Sequence, residues 1–172
     1  MATFFIRKLP KEITGLVIER KSRRSYPHSN IAAQIIGFTD VDDKGLIGIE
    51  EEYNEQLSGK PGWVVKQVNG KGRSQYKTSF PMKAPIDGAN IQLTIDLEYQ
   101  SVLQEELSRR MNEANAKSAM GVLMNPQTGA VLAMASLPSY DPNNPMSSPI
   151  ENQKNKIITD QFEPGSTYKV VA

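Results

Sequence analysis

The chain has 172 residues, 38% of them hydrophobic, and its 20 basic and 19 acidic side chains leave a formal charge of +1. This length is enough for one ordinary domain or two small ones with a buried core. The near-neutral charge gives no electrostatic case for nucleic acid as a partner. The absence of cysteine excludes disulfides, thiol catalysis and cysteine-ligated metals.

No apolar run reaches the roughly 18 residues that are needed to cross a bilayer. Phe4-Phe5-Ile6 is also far too short for the core of a signal peptide. We therefore expect this chain to be soluble, with no anchor present, while a longer parent protein could still carry an anchor or an export signal.

The first predicted elements are short. A strand is expected in the last part of residues 4–19, and residues 31–38 fit a small helix or a strand equally well. An acidic run predicts a helix over residues 50–57, which ends at the Gly-Pro-rich residues 58–62. The three glutamates 50–52 are interpreted as a solvated first turn that suits the helix dipole.

A hairpin and a linker are predicted next. Trp63 begins a strand over residues 63–68 and is interpreted as a packing anchor. Asn69-Gly70 tolerates the positive φ angles of a tight hairpin turn, so a return strand is expected over residues 73–78. Pro81, Pro85 and Gly88 then indicate a linker.

The second half begins with a predicted strand over residues 90–95, where polar and apolar residues alternate. Asp96 can cap the helix that follows by accepting bonds from its first free N–H groups. That helix is amphipathic, and one face of it carries Tyr99, Leu103, Leu107, Met111 and Ala114.

Two apolar runs, residues 119–124 and 130–137, are joined by the turn sequence Asn125-Pro126-Gln127-Thr128-Gly129. They predict an antiparallel hairpin that is buried on both faces. Residues 138–155 are rich in proline, serine and asparagine, and indicate an ordered or mobile loop with little regular structure.

Two Ser-x-x-Lys patterns occur, Ser74 to Lys77 and Ser166 to Lys169. A serine at a helix start presents its hydroxyl into a cleft, and a lysine three residues later lies one turn away on the same face. Such a lysine can take the hydroxyl proton only if burial or neighbouring positive charge lowers its pKa. Ser74 falls in the predicted return strand, where positions three apart point to opposite faces, so we interpret that match as coincidence. Ser166 follows a Pro-Gly turn and opens a helix-like stretch, which makes Ser166 and Lys169 the candidate catalytic pair.

Other conspicuous residues have plainer interpretations. His28 is the only histidine, so it cannot make a metal site and is expected to be exposed. The Arg23-Arg24 pair could grip a carboxylate ligand, but a salt bridge within the protein is the preferred interpretation.

Residues 159–169, Thr-Asp-Gln-Phe-Glu-Pro-Gly-Ser-Thr-Tyr-Lys, resemble the active-site serine segment of class B penicillin-binding proteins, especially the septal cell-division transpeptidases. The resemblance extends over nearly the whole chain. Segments similar to other landmarks of that family occur in the same order at residues 24–27, 36–38, 45–50, 57–62, 96–100, 125–129 and 138–143.

The resemblance implies an α+β fold in two parts. Residues 1–84 would be a portion of a non-catalytic pedestal, or dimerisation domain, and residues 85–172 the incomplete start of a transpeptidase domain of the serine β-lactamase-like type. The family attacks the D-Ala-D-Ala end of a peptidoglycan stem peptide, forms a serine acyl-enzyme and is acylated by β-lactams. Ser166 would be the nucleophile and Lys169 the proton acceptor, and no metal or organic cofactor is implied.

Several family features are missing from the sequence. The upstream membrane anchor, the Arg-Gly pedestal motif, and the Ser-x-Asn and Lys-Thr-Gly motifs are not found, and Lys77-Thr78-Ser79 is no substitute for the last of these. The resemblance implies a parent enzyme that is anchored in the cytoplasmic membrane with its domains on the periplasmic side. This chain alone is expected to be inactive.

An alternative class of function is a non-catalytic interaction module. The pedestal would then dock divisome or other cell-wall synthesis proteins, including a lipid II polymerase, and the catalytic segment would be incidental. Apolar surface on strands between residues 119 and 137 is also expected to cause self-association or partial disorder beyond about residue 138.

Overall fold

The computed structural model describes residues 23–65, 67–68, 74–75, 81–161, 163 and 165–170. The strand predicted within residues 4–19 lies outside the described residues. Helices and short antiparallel strand pairs alternate along the described chain, so the predicted α+β class is confirmed.

The first described elements are α1 (Ala33–Ile36), β1 (Phe38–Thr39), β2 (Gly45–Ile47), α2 (Gly48–Glu52) and α3 (Asn54–Leu57). β1 and β2 pair antiparallel. Between α1 and β1 the chain turns at Gly37, which has φ +81 and where a Cβ atom would lie 1.8 Å from the Ile47 carbonyl oxygen. Of residues 31–38, a helix thus occupies 33–36, and Phe38 begins a strand. The helix predicted over residues 50–57 begins earlier, at Gly48, and is interrupted at Tyr53.

Four two-residue strands follow: β3 (Trp63–Val64), β4 (Gln67–Val68), β5 (Ser74–Gln75) and β6 (Met82–Lys83). β4 pairs antiparallel with β5, which confirms the predicted hairpin, although its turn residues 69–73 are outside the described part. β3 pairs with β6, so part of the predicted linker is a strand. Trp63 is 54% exposed, and its prediction as a packing anchor is wrong because a two-stranded ribbon buries little by itself.

The long helix is α4 (Leu97–Glu113), and Asp96 caps it as predicted: its Oδ1 accepts from Glu98 N at 2.9 Å and from Tyr99 N at 3.1 Å. The predicted inward face is partly wrong, because Tyr99 and Ala114 are exposed. The less exposed stripe is shifted by one residue at its start and contains Gln100, Leu103, Gln104, Leu107, Ser108 and Met111.

Strands β7 (Ala119–Met124) and β8 (Val131–Leu137) form the predicted hairpin, with Gly121 opposite Ala135. A Cβ at Gly121 would lie 3.0 Å from a Leu107 methyl carbon, so this face packs against α4. The prediction that both faces are buried is wrong for β7. Its exposed side chains are Met120, Val122, Leu123 and Met124, at 38 to 52%.

The strand predicted over residues 90–95 is also wrong, although exposure does alternate along it. Two bonds tie this stretch to β8: Thr94 Oγ1 donates to Val131 O at 2.6 Å, and Asp96 N donates to Leu132 O at 2.8 Å. Alternation predicts which side chains are covered, but a strand also needs a continuous ladder of partners.

After β8 the chain makes two 3₁₀ turns (Pro145–Ser147 and Ile150–Asn152) and the short helix α5 (Lys156–Thr159). Residues 138–155 thus hold little regular structure, as predicted. A further 3₁₀ helix, Gly165–Val170, follows α5. None of the helices in the described ranges has the length and hydropathy of a bilayer-spanning segment.

A small hydrophobic cluster lies where the early elements meet the end of β8. It contains Tyr26, Ala33, Phe38 and Tyr140, and the Phe38 and Tyr140 rings meet edge to face with centroids 5.9 Å apart. The cluster therefore draws side chains from both sides of the predicted boundary between residues 84 and 85.

Candidate functional site

The candidate pair Ser166 and Lys169 lies within the 3₁₀ helix Gly165–Val170. A 3₁₀ helix has three residues per turn, so side chains three apart project from the same side. Both side chains are exposed. The serine hydroxyl and the lysine amino group are thus on one accessible face of a single helical turn.

The backbone before Ser166 has the conformation that its sequence predicts. Gly165 has φ +54, a value that L side chains rarely adopt, and no atom lies within 4 Å of the position of a Cβ there. Of the predicted turn-to-helix setting, the described residues thus show a left-handed Gly165 that opens a 3₁₀ helix, and Pro164 lies outside them. By contrast, Ser74 of the second Ser-x-x-Lys pattern lies in β5, and Lys77 is outside the described residues.

The segment that leads to Ser166 lies on the face of the hairpin away from α4. Directly paired residues share a face, and Met134 pairs with Val122, one position along from the pair that packs on α4. The Asn155 side chain accepts from Ile157 N at 3.3 Å to cap α5, and its Nδ2 lies 3.2 Å from the Met134 sulfur. The start of α5 therefore contacts the face of the hairpin opposite to α4, while β7 side chains of that face remain exposed.

Three backbone carbonyls of this region converge on one buried side chain, Gln34 of α1, which is 8% exposed. Its Nε2 donates to Ser136 O at 2.9 Å and to Asn152 O at 2.9 Å, and it lies 3.4 Å from Pro138 O. The amide thus ties α1 to the end of β8 and to the second 3₁₀ turn.

A second side-chain amide, that of Asn143, binds the backbone of Tyr26 in both directions. Tyr26 N donates to Asn143 Oδ1 at 3.0 Å, and Asn143 Nδ2 donates to Tyr26 O at 2.8 Å. The Tyr26 hydroxyl accepts from Thr39 N at 3.1 Å. Burial raises the pKa of Tyr26, so this phenol stays neutral at ordinary pH.

Tyr140 is nearly enclosed in the hydrophobic cluster, at 2% exposure, and its hydroxyl donates to Ala33 O at 3.0 Å. Burial raises the pKa of Tyr140 well above its ordinary value. The loop after β8 is thus held to α1 by a neutral phenol as well as by Gln34.

Two further glutamines connect α4 to its neighbours. Gln100 pairs with the backbone of Met134: its Oε1 accepts from the N–H at 2.8 Å, and its Nε2 donates to the carbonyl at 2.8 Å. Gln104 Oε1 accepts from Ala32 N at 2.9 Å, and its Nε2 donates to Asn30 O at 3.1 Å. These side-chain amides thus supply hydrogen-bond partners for backbone groups of β8 and of the residues just before α1.

Of the two arginines, Arg24 forms the predicted internal salt bridge. Its Nε lies 2.7 Å from Glu50 Oε1, and its Nη2 lies 3.0 Å from Oε2. The hydrogen bond to Glu50 raises the pKa of Arg24. Glu50 is buried, so its prediction as part of a solvated triplet is wrong. His28 is exposed, as predicted.

Sequence reasoning did not single out the hydrogen-bonded amides of Gln34, Gln100, Gln104 and Asn143. The one local signal was a polar residue within an apolar stretch, as in Ala32-Ala33-Gln34-Ile35-Ile36. Such a residue is costly to bury without partners, so it predicts a specific hydrogen bond but not its acceptor.

Two family profiles match the chain. The penicillin-binding protein dimerisation domain matches residues 2–93, and the penicillin-binding protein transpeptidase domain matches residues 119–172. The chain therefore belongs to the class B penicillin-binding proteins, in which a dimerisation domain precedes a transpeptidase domain.

Named relatives agree with this assignment. The chain is 38% identical to the peptidoglycan D,D-transpeptidase FtsI of Escherichia coli over 165 residues, which are 96% of this chain and 27% of that protein. It is also 38% identical to FtsI of Buchnera aphidicola, over 93% of this chain and 28% of that one. The chain thus spans little more than a quarter of the length of these relatives.

Solved structures give the same fold. Penicillin binding protein 3 from Mycobacterium tuberculosis, complexed with aztreonam, is 30% identical with a TM-score of 0.66, over 86% of this chain and 29% of that chain. That relative binds a β-lactam.

Proposed function

We propose that this chain carries the acylation serine of a peptidoglycan D,D-transpeptidase, with Ser166 as nucleophile and Lys169 as proton acceptor. The observation that carries the proposal is the placement of both side chains on one exposed face of the turn that follows Gly165. The names of the relatives, which are peptidoglycan D,D-transpeptidases, supply the reaction class.

In this reaction Ser166 Oγ attacks the carbonyl carbon between the two D-alanines of a stem peptide, while its proton passes to Lys169 Nζ. Collapse of the tetrahedral intermediate breaks the peptide bond, and the terminal D-alanine leaves with a proton. An amine of a neighbouring stem peptide then attacks the acyl-serine ester and restores the hydroxyl. A β-lactam would acylate the same oxygen by opening its ring.

We further propose that residues 1–84 are the pedestal portion and residues 85–172 the start of the transpeptidase domain. The two family matches support a division in this region, since one ends at residue 93 and the other begins at residue 119. The relatives' names support a parent protein on the extracytoplasmic side of the membrane, where peptidoglycan is cross-linked.

The pedestal is proposed to dock divisome or other cell-wall synthesis proteins, including a lipid II polymerase. Support comes from apolar side chains on the β3–β6 ribbon, where Trp63 is 54% and Met82 is 73% exposed. Trp63→Ser should weaken capture of such proteins by the chain, whereas Val41→Ser, at an 85% exposed position away from the ribbon, should not. Equal capture by both variants would contradict this docking site.

Self-association through the exposed side of β7 is the other proposed contact. Its support is the row of Met120, Val122 and Met124. Sedimentation of the chain should show concentration-dependent oligomers that Val122→Ser reduces. A monomer at all concentrations would contradict the proposal.

The nucleophile is tested by labelling the whole product of the gene that contains this chain with a fluorescent penicillin. We expect a covalent adduct that survives denaturing electrophoresis, that Ser166→Ala abolishes and that Ser74→Ala, in the second Ser-x-x-Lys pattern, leaves intact. An adduct on the Ser166→Ala variant would overturn the assignment. The 172-residue chain by itself is expected to remain unlabelled, because acylation needs preorganised groups on several sides of the carbonyl.

A further inference from the structure

We infer that Gln34 is a positioning residue for Ser166: its buried carboxamide fixes the polypeptide that joins β8 to α5, from which the Ser166 helix continues. The inference rests on the proposed function of Ser166. It assigns to that site a side chain from the predicted pedestal, far upstream in the sequence.

The hydrogen bonds of Gln34 close a loop of backbone. The carboxamide nitrogen carries two hydrogens, and its two shorter bonds reach Ser136 O and Asn152 O, each at 2.9 Å. The first carbonyl lies near the end of β8, and the second lies in the second 3₁₀ turn, before α5. One side chain therefore sets the separation of the strand end from the second 3₁₀ turn.

The same turn precedes α5 and then the candidate nucleophile in the chain. Asn152 is followed by Asn155, which caps α5 and contacts the Met134 sulfur, and α5 is followed by the helix of Ser166. A shift of the carbonyl at Asn152 would move the start of α5 over the hairpin. Because the helix of Ser166 follows α5 along the chain, we expect the Ser166 turn to move with that start.

Only a hydrogen-bond donor fits between these carbonyl oxygens. A carboxylate at position 34 would place negative charge against three oxygens, and an alkyl group would leave buried carbonyls unpaired. In either case we expect the segment between β8 and α5 to relax away from α1. Because a displacement of about 1 Å can slow a positioned reaction by about a hundredfold, a small relaxation is enough to affect acylation.

The test measures β-lactam acylation of the whole gene product by rapid mixing, which separates reversible binding from the rate constant of acylation. Gln34→Leu and Gln34→Glu should each lower the acylation rate constant about tenfold or more, with little change in reversible binding. The rate constant reports only molecules that react, so a smaller folded fraction does not alter it.

Glu50→Gln is the control, because Glu50 pairs with Arg24 in the same part of the protein and has no hydrogen bond to residues 136–152. It should lower the melting temperature and leave the acylation rate constant unchanged. If both Gln34 variants acylate at the wild-type rate, or if Glu50→Gln slows acylation equally, Gln34 has only a structural role and the inference fails.

If neither Gln34 variant folds, Tyr140→Phe tests the same tether, because it removes the bond from this segment to Ala33 O. Tyr140→Phe should slow acylation only on the order of several-fold, because it removes one hydrogen bond of this connection and leaves those of Gln34 in place. A wild-type rate would overturn the inference. Labelling that survives Ser166→Ala would overturn the proposed function as well, so the two failures are distinguishable.

Discussion

Arg24 and Glu50 form a two-pronged ion pair, with Nε to Oε1 at 2.7 Å and Nη2 to Oε2 at 3.0 Å, in which the carboxylate is buried and the guanidinium is partly exposed. Its side-chain exposures are 8% for Glu50 and 41% for Arg24. The pair joins the segment before α1 to the first turn of α2, and so ties together the two sides of the β1–β2 strand pair.

The asymmetric burial predicts unequal costs for the two halves of this pair. Arg24→Met should lower the free energy of unfolding by about 2 kcal/mol, because it leaves a buried carboxylate without its partner. Glu50→Gln should cost less, since the amide is neutral and the arginine left behind can reach water. Urea unfolding of both variants measures this difference, and equal losses would contradict the burial argument.

Buried phenols predict a loss of stability in alkali. Burial raises the pKa of Tyr140 above its ordinary value of 10.0, so the folded protein keeps a proton that the unfolded chain releases. The stabilising contribution is therefore fully present below about pH 10 and is lost as the pH rises further. The free energy of unfolding of Tyr140→Phe should therefore fall less steeply with rising pH than that of the wild type. At neutral pH this variant should be about 1 kcal/mol less stable, because it lacks the hydrogen bond.

Tyr99→Phe is the control for this experiment, because Tyr99 is 52% exposed and its replacement removes no buried phenol. Its pH profile should match that of the wild type above pH 10. Parallel profiles for Tyr140→Phe and the wild type would refute the contribution of the buried phenol. Chemical unfolding monitored by circular dichroism at several alkaline pH values provides the measurement.

Local signals predicted the elements that local interactions form. Asp96 caps α4, and the turn of residues 125–129 joins β7 to β8, because each of these features is encoded within a few residues. The buried stripe of α4 was misplaced for the opposite reason. Gln100 is buried by its bonds to Met134, which is distant in sequence, so apolar spacing alone favoured Tyr99.

The residues of the candidate site also differ in whether the sequence alone identifies them. Gly165, Ser166 and Lys169 are recognisable because a turn, a serine and a lysine follow one another directly in the sequence. Gln34 cannot be recognised in this way, because its three acceptors are backbone carbonyls more than a hundred residues away in the sequence. Any residue type can supply a carbonyl, so no sequence pattern marks the acceptors. Nor does an acidic run indicate that Glu50 alone will be buried against Arg24.

Two glycines with positive φ predict very different costs for the same substitution. Gly37 has φ +81, and a Cβ there would lie 1.8 Å from Ile47 O, whereas Gly129 has φ +74 with no atom within 4 Å. Gly129→Ala should cost about 1 kcal/mol, which is the strain of a left-handed alanine. Gly37→Ala adds a backbone collision between α1 and β2, and should cost about 4 kcal/mol or prevent folding.

Thermal or urea unfolding of the two variants side by side measures the contribution of crowding, because the backbone strain is common to both. Similar losses at the two positions would mean that the turn at Gly37 adjusts freely, and that the contact between α1 and β2 is loose.

The proposed proton transfer predicts that charge at position 169 is not sufficient. Lys169→Arg keeps a cation on the same face of the turn as Ser166, but a guanidinium stays protonated at all accessible pH values and cannot accept the serine proton. Acylation of the whole gene product by a fluorescent penicillin should fall by about a hundredfold or more. Lys154→Arg is the matched control, since Lys154 is an exposed lysine paired with Glu151, and it should acylate at the wild-type rate. If Lys169→Arg also acylated at that rate, Lys169 would act through its charge alone and another group would have to accept the proton.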